Sequence, residues 1–140
     1  FEVFKEGIKK LQDRGIEVVV HSIFGLPGET KEDMLKTIDY IAHSGAQGIK
    51  FHLLHLMKYT KMAEQYYNGE FELLSEEDYI DLICEGISMI PEDMVVHRLT
   101  GDAPRATLIG PMWSLKKWEV LNAIDKALVD RDIWQGKNFK

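Results

Sequence analysis

The sequence predicts an α/β fold with about three parallel strands and flanking helices, and three observations carry that reading. Apolar residues recur at three- and four-residue spacing in four stretches, the pattern of helices that bury one face. Between them lie three short strand-like runs, Ile16 to Phe24, Gly48 to Leu56 and Met94 to Leu99. Helix and strand patterns alternate along the whole chain, and each crossover is long enough for a right-handed parallel connection.

The first helix spans about residues 1 to 14, with Phe1, Phe4, Ile8 and Leu11 on its apolar side and Gly15 placed as its stop. Val18 to Thr30, VVVHSIFGLPGET, follows as a strand, a Gly-Pro-Gly turn and a helix start. Its unbroken β-branched run predicts a strand buried on both faces. Thr30 and Asp33 have capping-box spacing and open a second helix that ends near Gly45. The second strand, GIKFHLLHL, alternates at first and then becomes apolar apart from its histidines. Met57 to Leu74 has no clean period, with a short helix expected across Thr60 to Tyr67, and loops that long are more often functional than idle. Ser75 and Asp78 repeat the capping logic for a third helix, which stops before Pro91. After the third strand comes an irregular segment, Thr100 to Pro111. A last helix, Ser114 to Asp130, packs Leu115, Trp118, Leu121, Ile124 and Leu128 before a polar tail.

With 140 residues, 45% of them hydrophobic, the chain can bury the core of one domain, expected to span 1–140. A net charge of -6 argues against nucleic acid as the main partner, because phosphate-binding surfaces show a basic excess; a local basic patch for tRNA stays open. Neither an 18-residue apolar run nor an export leader is present, so a cytoplasmic protein without a membrane partner is expected. The helical pattern begins at Phe1 with no cap signal, and three parallel strands leave two open edges available for self-association. Both features predict a piece of a longer chain.

GLPGET is not a P-loop, since the GxxxxGK[ST] spacing is absent. It reads as a tight strand-to-helix turn or as a ligand-contacting one. His52 and His55, three apart on one strand, are expected on opposite faces and so ill placed to share a metal ion. His97 and Arg98 precede Gly101-Asp102-Ala103-Pro104-Arg105, a polar cluster after a strand, read either as an ion pair that pins the loop or as a clamp for a substrate anion. Cys84, the only cysteine, reads as a buried structural thiol. Trp113 and Trp118 are expected to pack the last helix.

The segments HSIFGLPGET, LLHLMKYTKMAEQY, VVHRLTGDAP and PMWSLKKWEVLNAID, in that order, resemble the C-terminal half of a radical S-adenosylmethionine (radical SAM) protein. The resemblance covers nearly the whole chain. It is closest in kind to the YhcC-type branch, related to oxygen-independent coproporphyrinogen III oxidase and the elongator catalytic subunit. It implies the C-terminal part of a partial (β/α)6 barrel, with residues 1–99 as the last barrel units and 100–140 as a C-terminal extension. In that family a CxxxCxxC motif holds a [4Fe-4S] cluster that cleaves S-adenosylmethionine to a 5'-deoxyadenosyl radical. The motif is missing here, so neither cofactor is expected bound to this fragment, and its first partner is the missing N-terminal half of the barrel.

Carried over by position, Ile23 and Gly25 match the fifth-strand motif that touches adenosine. His21 stands where many members have glycine, and the glutamate is displaced by one residue to Glu29. Leu56 and Met57 match the place that packs against adenine. Arg98 and Asp102 are the candidates for substrate contacts. The expected function is thus the C-terminal portion of a radical SAM enzyme, of unknown substrate and inactive alone. The alternative is a non-catalytic α/β interaction module binding a protein or tRNA.

Overall fold

The computed structural model describes residues 2–140, so the placement of Phe1 on the first helix lies outside the described residues. Helix α1 spans Glu2–Gln12 and strand β1 Val19–Phe24; α2 is Lys31–Ala42 and β2 Gly48–Leu53. Strand β3 (Leu56–Met57), α3 (Lys61–Tyr67), α4 (Glu76–Met89), β4 (Val95–Arg98), β5 (Leu108–Gly110), a 3-10 turn (Met112–Leu115) and α5 (Lys117–Asp130) complete the order.

Strands β1, β2 and β4 form one parallel sheet in the order β1-β2-β4. Val20, Phe24, Ile49, Phe51 and Leu53 point from its covered face into a core shared with Ile38, Tyr79, Leu82, Ile83 and Ile124 of the helices. The second and third expected helices start where their caps predict, whereas the last one starts at Lys117 rather than Ser114, after the 3-10 turn and without a side-chain cap. Thr30 and Asp33 form the complete reciprocal capping box, while Thr60 and Ser75 accept from Ala63 N–H and Asp78 N–H to begin α3 and α4.

Several expectations are corrected. Strand β1 is not buried on both faces: Val20, Ser22 and Phe24 are buried, but Val19, His21 and Ile23 are exposed, because the helices cover one face only. The second strand ends at Leu53 rather than Leu56. Leu56–Met57, where that run passes into the segment without a period, instead pairs antiparallel with Leu108–Gly110 of the irregular segment. That ribbon is too short and its halves too distant in sequence for a local pattern to reveal it. On α5 the buried residues are Val120 and Ile124, which turns Trp118 outward at 76% exposure. Trp113 does pack, donating from Nε1 to the Leu74 carbonyl at 3.0 Å and lying 5.3 Å from the Tyr79 ring. The polar tail also docks: Asn138 N–H reaches Ser88 O at 2.8 Å, and the Gln135 amide reaches Met94 O at 2.7 Å. Among the described residues, no helix is long and apolar enough to cross a membrane.

Candidate functional site at the carboxyl ends of the strands

Parallel register places successive side chains in rows across the sheet. Val20, Ser22 and Phe24 pair with Ile49, Phe51 and Leu53 on the covered face. Their alternates, His21 with Lys50 and Ile23 with His52, therefore share the opposite face. A register shift after Ile49 brings Arg98 of β4 beside Lys50. His21, Lys50 and Arg98 thus form one row over three strands. The His21 pKa is held below its ordinary value by partial desolvation and then by the charges of Lys50, His52 and Arg98. The alternation of β2, GIKFHL, already carries the signal for Lys50 and His52; their neighbour on β4 depends on the bulge.

Beyond Phe24 the turn is built around a carboxylate. Glu29 Oε2 accepts from both Gly25 N–H and Leu26 N–H at 3.2 Å, so the displaced glutamate ties the turn to itself. Gly25 has φ +83°, and a Cβ there would stand 2.9 Å from Leu74 Cδ1. Both facts require glycine. Ile23 remains 49% exposed at this strand end. Beside it a groove of about 470 Å³ runs along the edge of β1, lined by Phe4, Ile23, Leu26, Glu29 and Tyr40 among others.

Leu56 and Met57 lie on β3, which follows the carboxyl end of β2 and pairs antiparallel with β5. Leu56 is 1% exposed and Met57 partly exposed, so of the two only the Met57 side chain offers surface.

The histidines depart from expectation because β2 stops at Leu53. His52 and His55 then turn toward each other, with ring centroids 5.2 Å apart and planes at 83°. His52 Nδ1 is 2.7 Å from the Leu53 carbonyl, whereas His55 Nε2 is buried without a hydrogen-bond partner among the described residues. Burial lowers the His55 pKa, the neighbouring His52 adds to that, and Asp102 opposes it. Even so, no group of three or more His, Cys, Asp or Glu among the described residues is placed to hold a metal ion. Cys84 is buried in α4, and that burial pushes its thiol pKa up. A lone buried thiol does not fit a four-iron cluster, which takes several thiolates.

Arg98 and Asp102 come together, but unequally. Asp102 takes its strongest partner from α5: Lys117 Nζ lies 3.1 and 3.0 Å from its two oxygens, against 3.9 Å for Arg98 Nη2. The Lys117 hydrogen bond is the main reason the Asp102 carboxyl sits below the usual carboxylate range. Sequence reasoning missed Lys117, whose approach needs the packing of α5 and leaves no local signal. A cavity of about 450 Å³ opens beside Arg98 and includes His97, Thr100 and Lys117 in its lining.

The family model described as the Radical_SAM C-terminal domain matches residues 46–130. Protein YtqA of Bacillus subtilis is 49% identical over 100% of this chain, which covers 44% of that protein, and YhcC of Escherichia coli is 31% identical over 95% of it, covering 43%. The chain therefore spans less than half the length of these relatives. Among solved structures, Elp3 of Methanocaldococcus infernus superimposes with a TM-score of 0.81 at 20% identity, covering 96% of this chain and 32% of that one. The likeness is one of fold: three parallel strands flanked by helices.

Proposed function

We propose, from the premise that this chain belongs to the radical SAM family and carries its C-terminal domain, that it forms one side of a barrel in which S-adenosylmethionine is cleaved to start radical chemistry on a substrate. The cluster-binding cysteines are supplied by the N-terminal half of the barrel, which docks along the open edge of β1. This chain contributes adenosine contacts and part of the substrate mouth, and alone it is inactive. Ile23 and Gly25 meet adenosine, Leu56 and Met57 border the adenine, and Arg98 with Asp102 lies at the substrate mouth. The bound group would supply the radical; the residues here orient it.

The observation that carries this reading is the exposed apolar side chain of Ile23 beside the positive-φ Gly25, at the carboxyl end of a parallel strand, where α/β sheets bind ligands. Leu56 supports it less directly, since its buried side chain acts through the wall it forms rather than by contact. One relative, the tRNA uridine(34) acetyltransferase of Methanocaldococcus infernus, is 26% identical over 71% of this chain, which favours a tRNA-binding rival. The net charge of -6 weighs against that rival.

Anaerobic reconstitution of the full-length protein with iron and sulfide, followed by reduction, tests the proposal. Release of 5'-deoxyadenosine from S-adenosylmethionine is expected. A loaded cluster without release refutes it. Ile23→Asp is expected to weaken S-adenosylmethionine binding by about tenfold or more while iron content stays unchanged; equal affinity would remove Ile23 from the contact.

A further inference from the structure

Thr100 sits two residues past the end of β4 and is 1% exposed, yet its Oγ1 has no hydrogen-bond partner among the described residues. Burying an unpaired hydroxyl is costly, commonly about 1–3 kcal/mol, so such a group marks a place where a partner is expected. The residue lines the cavity of about 450 Å³ between the free edge of β4 and the start of α5. The charged side chains in that lining are Arg98 and Lys117.

The cations there are not matched by the acids. Lys117 is engaged by Asp102 at 3.0 Å, but Arg98 reaches that carboxylate only at 3.9 Å, beyond hydrogen-bond distance. Its guanidinium fork therefore keeps donors in hand, and a guanidinium binds planar oxyanions two at a time. Behind it on β2 stands Lys50, partly buried, paired in register with Arg98 and without an ion-pair partner among the described residues. Like charges on adjacent strands repel. Two cations against one carboxylate, with a second unpaired cation one strand away, leave a local positive excess in a chain of net charge -6.

We infer that the cavity between β4 and α5 binds an oxyanion of the substrate, a carboxylate or a phosphate, through the Arg98 guanidinium, the Lys117 ammonium and the Thr100 hydroxyl. Calling this anion part of the substrate rests on the radical SAM reading; its binding does not. In the order β1-β2-β4 the cavity lies two strands from Ile23, roughly 10 Å at the usual strand spacing. The oxyanion thus anchors the substrate away from the strand end assigned to adenosine. Asp102 does not contact the ligand in this arrangement: it holds Lys117 in place.

The test is thermal denaturation of the full-length protein with inorganic phosphate and, separately, citrate, each at constant ionic strength set by chloride. A dose-dependent rise in melting temperature is expected. A rise with phosphate alone assigns a phosphoryl group, one with citrate alone assigns a carboxylate, and both outcomes support the site. Arg98→Gln and Thr100→Val are each expected to weaken the anion's apparent affinity about tenfold, with partial recovery in Arg98→Lys. Lys126→Gln, on the surface of α5, is expected to match the unaltered protein. Because the Thr100 hydroxyl has no partner among the described residues, Thr100→Val should leave the anion-free melting temperature unchanged or raised, a result that a structural hydroxyl would not give. No anion-dependent shift, or an undiminished shift in both Thr100→Val and Arg98→Gln, overturns the inference. 5'-Deoxyadenosine release is scored separately: its loss with anion binding intact refutes the family reaction alone, and the converse refutes the oxyanion site alone.

Discussion

Gly101 and His52 are so closely apposed that a Cβ on Gly101 would stand 2.4 Å from His52 Nε2. The same Cβ would meet His55 Cε1 at 2.7 Å. The loop after β4 is thereby seated on the paired imidazoles, which positions Thr100 and Asp102 on either side of that glycine. Gly101→Ala must displace both rings or the loop. A loss of about 1–3 kcal/mol is expected, the usual cost of overpacking a site that cannot yield freely. Urea denaturation measures it, and a change below about 0.3 kcal/mol would show that the loop is free to move.

The same loop is tied to α4 by one hydrogen bond. Tyr79, fully buried, donates from its hydroxyl to the Leu99 carbonyl at 2.9 Å. Burial raises the Tyr79 pKa well above its ordinary value, which keeps the hydroxyl protonated and a donor at neutral pH. Tyr79→Phe keeps the ring against Trp113 and removes only the donor. The expected cost is about 1–3 kcal/mol, because the carbonyl loses its partner in a dry place. Unchanged stability in urea denaturation would mean that water replaces the hydroxyl.

Stability should depend on pH through His55. Its folded pKa lies below the unfolded value of 6.5, chiefly because burial disfavours the charged ring. The unfolded chain therefore binds more protons between the two values, and stability rises with pH across that window. The contribution is complete above about pH 6.5 and is lost as pH falls through the folded pKa. His43 works in the opposite sense, since hydrogen bonds to the carbonyls of Lys140 and Asp39 raise its pKa. Comparing the pH profile of melting temperature with that of His55→Gln isolates the first effect: the acid-side decline is expected to shrink in the variant. An identical decline would assign it to other groups.

The GLPGET turn makes a paired prediction. Gly25→Ala strains a φ of +83° and drives a methyl against Leu74, so a loss of about 1 kcal/mol or more is expected. Glu29→Gln keeps the shape but weakens a charge-assisted bond to two amides, with a smaller loss expected in the same denaturation experiment. If Glu29→Gln costs more than Gly25→Ala, the carboxylate matters beyond the turn.

Loss of the Ser75 hydroxyl, which accepts from Asp78 N–H at 3.0 Å, is expected to cost about 1 kcal/mol in Ser75→Ala. Ser75→Asp, which restores an acceptor, should recover most of that loss. Failure to recover would mean that the Ser75 Oγ bond to Asp78 Oδ2, at 2.7 Å, carries the effect.

What the sequence determined by itself was whatever depends on neighbours within a few positions. The three parallel strands, the helix starts at Thr30 and Ser75, and the glycine of the turn after β1 follow from local period, caps and backbone freedom. The ordered segments likewise carried the family. Tertiary structure alone decided which face of β1 meets solvent, because that depends on where the helices pack and not on the apolar run itself. Packing also brought His52 against His55 once β2 stopped at Leu53, set Lys50 beside Arg98 through a register shift, and carried Lys117 to Asp102 from 15 residues away. These contacts join residues distant in sequence, and no local period encodes such a pair. For that reason Arg98 and Asp102 could be named as a cluster from the sequence, while the partner that separates their roles, Lys117, emerged only with the fold.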